Sequence, residues 1–124
     1  MLKILTKIFP SKHDKDVKLL LPIVEEINKY FEEYKSLTDE QLRGKTQELK
    51  QRIKDSVSET EGKIAELREK LKEDLEHSER MGIYDEIDEL DKEYFEILNG
   101  SLEEVLPEAF AVVKDTCRRL CGQE

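Results

Sequence analysis

Tryptophan is absent from this chain of 124 residues, which has three prolines, five glycines, two cysteines and 6% aromatic residues. So few breakers, among so much Glu, Lys and Leu, exclude a sheet-rich fold and predict an all-α protein of long helices. Two cysteines do not make a disulfide scaffold, and a reduced compartment is the default for such a chain. No apolar run approaches the ~20 residues of a membrane span. His13 and His77 stand alone, and Asp74-Leu75-Glu76-His77 resembles the Glu-x-x-His of di-iron bundles only superficially, since a bundle needs several such units, which argues against a metal centre. There is no Gly-x-x-x-x-Gly-Lys-Ser/Thr phosphate cradle. Basic residues are the minority, 21 against 30 carboxylates, so a nucleic-acid partner is not expected.

What is present is charge, and it is unevenly placed. Residues 1–15 carry +3, residues 16–53 carry −1, residues 54–98 carry −9 and residues 99–124 carry −2. The middle stretch alone equals the net charge of the chain.

The head has the clearest functional pattern. Leu2, Ile4, Leu5, Ile8 and Phe9 fall within roughly 160° at 100° per residue, with Lys3, Thr6 and Lys7 opposite, and Pro10 follows. Lys7 interrupts the apolar run and no small-residue cleavage site follows, so this is not a secretory signal. Residues 1–10 read as an amphipathic, basic helix for an anionic membrane surface or an acidic partner, the alternative being a helix that docks on the chain's own core.

Val17, Leu20, Leu21, Val24, Ile27, Phe31 and Tyr34 mark the next helix, which either kinks or begins at Pro22. Thr38-Asp39-Glu40-Gln41 is a capping box. From Leu42 a stripe runs through Thr46, Leu49, Ile53, Val57, Thr60, Ile64, Leu67, Leu71 and Leu75, predicting one helix of about 40 residues, roughly 60 Å long, up to a turn at Met81-Gly82. Ile83, Ile87, Leu90, Tyr94 and Ile97 then repeat as a coiled-coil seam, so the second arm is expected to return antiparallel along the first. Asn99-Gly100 is expected to cap that arm. Ser101 with Glu104, and Pro107, would begin a separate last helix burying Ala109, Val112, Val113, Thr116 and Leu120. These readings divide the chain into an amphipathic helix at 1–10, a helical block at 11–53, an acidic helical hairpin at 54–98 and a final helix at 99–124.

Cys117 and Cys121, one turn apart, suit neither a disulfide nor a metal site and read as small buried thiols. The acidic run Asp85, Glu86, Asp88, Glu89 and Asp91 lacks the glycine and spacing of an EF-hand loop. No nucleophile–base pair accompanies it, so it reads as a solvated face.

Two blocks, in this order, resemble a known family. Leu37-Thr38-Asp39-Glu40-Gln41-Leu42-Arg43-Gly44-Lys45-Thr46 is similar to the Leu-(Ser/Thr)-Asp-Glu-(Glu/Gln)-Leu-Arg-x-Lys-Thr segment near the start of the SecA family, the motor ATPases of bacterial preprotein translocation. Leu106-Pro107-Glu108-Ala109-Phe110-Ala111-Val112-Val113, followed by Arg118-Arg119, resembles a helix slightly later in that family. Pro22-Ile23-Val24-Glu25-Glu26-Ile27-Asn28 and the Met-Leu-Lys opening fit as well. Residues 54–98 stand where the family has a shorter link, and so look like an insertion. Thr116 and Cys117 stand where alanines are common.

The resemblance implies a truncated piece of a longer motor that lacks the nucleotide loops. It implies no ATPase activity and no cofactor in this chain, with ATP and Mg belonging to the full-length motor. It implies that Leu2, Lys3, Ile4, Leu5, Lys7, Ile8 and Phe9 meet anionic phospholipid and the SecY channel. It also implies that preprotein is handled through the whole motor, and that the chain is cytoplasmic and peripheral on the inner face of the plasma membrane. The helix at 106–120 would pack on a nucleotide-binding domain. Without that domain its apolar face, and that of residues 17–34, should be left uncovered, and the chain should self-associate. The alternative is a stand-alone helical coiled-coil adaptor or scaffold.

Overall fold

The computed structural model describes residues 11–122. Three helices account for almost all of them: α1 (Lys12–Tyr34), α2 (Asp39–Lys70) and α3 (His77–Cys121), with no strand among the described residues. The all-α class expected from composition is what the chain adopts. The amphipathic head, with Leu2, Lys3, Ile4, Leu5, Lys7, Ile8 and Phe9, lies outside the described residues.

Helix α1 starts on a reciprocal cap. The Ser11 hydroxyl accepts from the Asp14 amide at 3.2 Å, and the Asp14 carboxylate accepts from the Ser11 amide at 3.0 Å. Pro22 neither begins nor ends the helix but sits inside it. Its missing N–H leaves the Lys18 carbonyl without a helical donor, and Lys18 is exposed, so water can serve that carbonyl. The second cap is the one the sequence announces: the Gln41 amide donates to Thr38 Oγ1 at 3.2 Å and the Thr38 amide to Gln41 Oε1 at 2.9 Å.

The structure contains two compact units, one made of residues up to Arg43 and from Pro107, the other of Gly44–Leu106. In the first, Tyr34, Leu42 and Ala111 are buried, with Ile27, Tyr30, Phe31, Leu37 and Val112 packed against them. In the second, α2 and α3 run antiparallel. Arg52 meets Glu104 at 3.4 Å, Glu61 meets Tyr94 at 3.3 Å, and Ile64 and Leu67 share a core with Ile87. Leu71, Ile83, Leu90 and Tyr94 close around that core, as the seam predicts. Each fully buried aliphatic side chain there is worth about 1.5–3 kcal/mol.

Two boundaries and one helix face differ from the sequence reading. Helix α2 is 32 residues long and stops at Lys70, well before Met81-Gly82. The turn is made by Arg80, whose guanidinium donates to the carbonyls of Leu71 at 2.8 Å and Glu73 at 3.2 Å, supplying partners that the frayed end of α2 lacks. Leu75 lies in this turn, and Gly82 is already inside α3. Second, no break occurs at Asn99-Gly100: α3 is a single helix of 45 residues that also passes through Pro107. No described glycine adopts the positive φ that a left-handed cap requires. The buried seam carries on from Ile97 through Ser101 to Val105, and burying it favours continuing the helix. Third, the inward face of the last turns is Glu108, Ala111 and Asp115, while Val113, Thr116 and Leu120 are exposed. Helix α2 is unbroken at Gly62.

Candidate functional site

In the first unit, buried polar groups decide which faces turn outward. Asp115 is fully buried and pairs with two arginines, Arg118 Nε at 2.7 Å and Arg119 Nε at 2.8 Å. Arg119 also reaches Asp39 Oδ1 at 2.7 Å, and donates to the carbonyls of Leu37 at 2.6 Å and Tyr34 at 3.1 Å. One guanidinium therefore satisfies the end of α1, the turn after it and the first residue of α2 while anchored to α3. Burial pushes the Asp115 carboxyl upward, but hydrogen bonds from Arg118 and Arg119 and their charges outweigh it and leave its pKa below the usual value. The Tyr34 hydroxyl meets the buried Glu108 at 3.2 Å. Lys114 lies 4.4 Å from the Phe31 ring centroid and donates to Asn28 Oδ1.

With Glu108, Ala111 and Asp115 turned inward, the opposite side of α3 presents Phe110, Val113, Cys117 and Leu120 to solvent. Both cysteines are exposed free thiols, which corrects the expectation of buried ones. Cys117 is two residues past Asp115, about 200° around the helix from the inward face. On α1 every residue from Ser11 to Pro22 is exposed, and Val17, Leu20, Leu21 and Val24 form an uncovered apolar strip. The faces expected to be left open in residues 17–34 and 106–120 are thus open at these positions. The basic head leads directly into the α1 strip in sequence.

Among the described residues this arrangement offers uncovered apolar surfaces for packing. Among the described residues no group of three or more His, Cys, Asp or Glu is placed to hold a metal ion, and no helix is long and apolar enough to cross a membrane. Sequence reading did not single out Arg119 as a hub. The signal was a pair of arginines three and four residues after an aspartate on an apolar face.

A helical segment with two uncovered apolar faces, held by an arginine latch, is the kind that packs against further domains. The family model for the SecA DEAD-like domain matches residues 5–124, and the chain belongs to the SecA family. It is 52% identical to a protein translocase subunit SecA of Chloroherpeton thalassium and 49% identical to that of Prosthecochloris aestuarii, each over the full length of this chain. The SecA of Salinibacter ruber is 38% identical across 99% of the chain. The chain spans about 12% of the length of these relatives. No solved structure matches it. The similarity to SecA along the whole chain disfavours the stand-alone adaptor.

Proposed function

We propose that this chain serves as the opening segment of a SecA-type protein-translocation motor, contributing attachment rather than catalysis. The head, through Leu2, Lys3, Ile4, Leu5, Lys7, Ile8 and Phe9, binds the anionic inner face of the plasma membrane and the SecY channel from the cytoplasmic side. The outward face of α3, with Phe110, Val113, Cys117 and Leu120, seats the first nucleotide-binding domain. ATP and Mg are held by that domain, and preprotein is moved by the whole motor. The observation that carries this reading is the pair of uncovered apolar faces in a chain whose family is SecA. Burying them against a larger domain recovers hydrophobic free energy that solvent exposure forfeits.

Co-flotation with liposomes tests the attachment half. Binding to vesicles containing anionic lipid should weaken with salt and be absent with neutral vesicles, because each lysine adds about 1 kcal/mol only near a charged leaflet. A chain lacking residues 1–10 should stay unbound. Equal binding with and without those residues would assign attachment elsewhere.

A further inference from the structure

The unit Gly44–Leu106 carries an exposed face that neither its own core nor the proposed attachment role uses. On α3, Met81 (47% exposed), Tyr84 (47%), Phe95 (60%) and Leu102 (45%) stand in solvent. At 100° per residue they lie within about 60° of one another, on the side away from the Ile83, Ile87, Leu90 and Tyr94 seam. Asp88 falls inside this strip, with Asp85 and Asp91 on its two margins. None of the three forms an ion pair among the described residues, whereas Lys92, the one base between residues 81 and 106, is held by Glu89 at 2.6 Å. Nine carboxylates lie in that same stretch. Asp91 also lines an open groove of about 400 Å³ between α2 and α3, where Ile64 and Ala65 meet Glu61, Glu69 and Arg68. Tyr94 joins this groove to the strip through an edge-to-face contact with Phe95, ring centroids 5.6 Å apart.

We infer that this face is a docking surface for a basic amphipathic polypeptide segment, one that lays apolar side chains at three- and four-residue spacing on Tyr84, Phe95 and Leu102 and sets Lys or Arg against Asp85, Asp88 and Asp91. Charge selects this occupant. The whole net charge of −9 lies in the Gly44–Leu106 unit, and the remaining residues sum to zero. A second copy of the same face would place carboxylates against carboxylates, a like-charge juxtaposition that disfavours the pairing. An anionic leaflet or a nucleic acid is repelled for the same reason. The aromatic rings supply the apolar and cation–π contact that a Lys or Arg segment gains and a small inorganic cation does not.

The test is titration of the full chain with a fluorescent amphipathic Leu/Lys helical peptide, beside the same peptide with Glu in place of Lys. The Lys peptide should bind and the Glu peptide should not, with amide NMR shifts concentrated at residues 81–102. Phe95→Ser and Asp88→Lys should each weaken binding about tenfold, equivalent to about 1.4 kcal/mol, while Leu120→Ser leaves it unchanged. Phe95 and Asp88 are exposed, so circular dichroism should show both variants folded. Absence of binding, or binding that weakens with Asp88→Lys but is indifferent to Phe95→Ser, overturns the inference, the latter result meaning that charge alone attracts the peptide. Binding lost equally on Leu120→Ser moves the site to the other unit and likewise overturns it.

Discussion

Arg119 shows how one side chain can hold three elements in register. Its side chain is largely buried and its partner Asp115 has no exposure at all, so that carboxylate cannot turn to water, whereas Asp39 is exposed. Arg119→Ala leaves that carboxylate with Arg118 alone and strips the Tyr34 and Leu37 carbonyls of a donor, so a loss of about 3 kcal/mol in urea unfolding is expected. Arg119→Lys should recover little of it, because a single ammonium cannot reproduce the fork to Asp115, Asp39 and two carbonyls. The pH dependence follows from Asp115. Its pKa is lower folded than unfolded, so its contribution is fully present above the ordinary carboxylate value of about 3.9 and is lost as pH falls through the depressed folded value. The stability gap between the native chain and Asp115→Asn should therefore be constant at neutral pH and shrink below about pH 4. A gap unchanged down to pH 2 would remove the charge from this account.

At the scale of elements, the length of α3 is the instructive case. Asn99-Gly100 carries every local mark of a helix end, yet the helix continues because Ile97, Ser101 and Val105 extend a buried seam that a break would dislocate. Tertiary burial overrides a cap preference worth about 1 kcal/mol. The Thr38 box and the Ile83–Ile97 seam were legible because each signal is local or strictly periodic. The end of α2 was not, because its cause is the side chain of Arg80 reaching back nine residues to Leu71. The cysteines were misread for a related reason: a buried ion pair at Asp115, rather than hydrophobicity, fixes which side of α3 turns inward. The continuous helix makes a discriminating prediction. Added methyl groups at Gly82 and Gly100 would meet nothing within 4 Å. Gly82→Ala and Gly100→Ala should each stabilise the chain by about 0.5–1 kcal/mol in thermal or urea unfolding, since alanine restricts the unfolded chain and favours the helix. If Gly100 were a left-handed cap, alanine there would destabilise instead.

At the scale of the whole molecule, both units expose apolar side chains but only one carries the net charge, and this decides how isolated chains should meet. The Gly44–Leu106 unit holds the net −9, so copies of it repel, whereas the unit formed by residues up to Arg43 and from Pro107 is neutral overall and bears Leu20, Leu21, Phe110, Val113 and Leu120 in the open. Self-association is therefore expected through the neutral unit, and it should strengthen as salt rises. Screening at 0.15 M shortens the reach of the acidic unit's repulsion to about 8 Å and leaves apolar attraction intact. Light scattering over a concentration series should show an apparent mass climbing above the 14.6 kDa of one chain at high micromolar concentration. Leu20→Ser combined with Leu120→Ser should return it to a monomer, while Phe95→Ser, on the acidic unit, should not. A mass fixed at one chain across the series would mean that these two faces are too small or too separate to pair with themselves. A mass that rises but falls with added salt would mean that ion pairs, and not the uncovered leucines, hold the copies together.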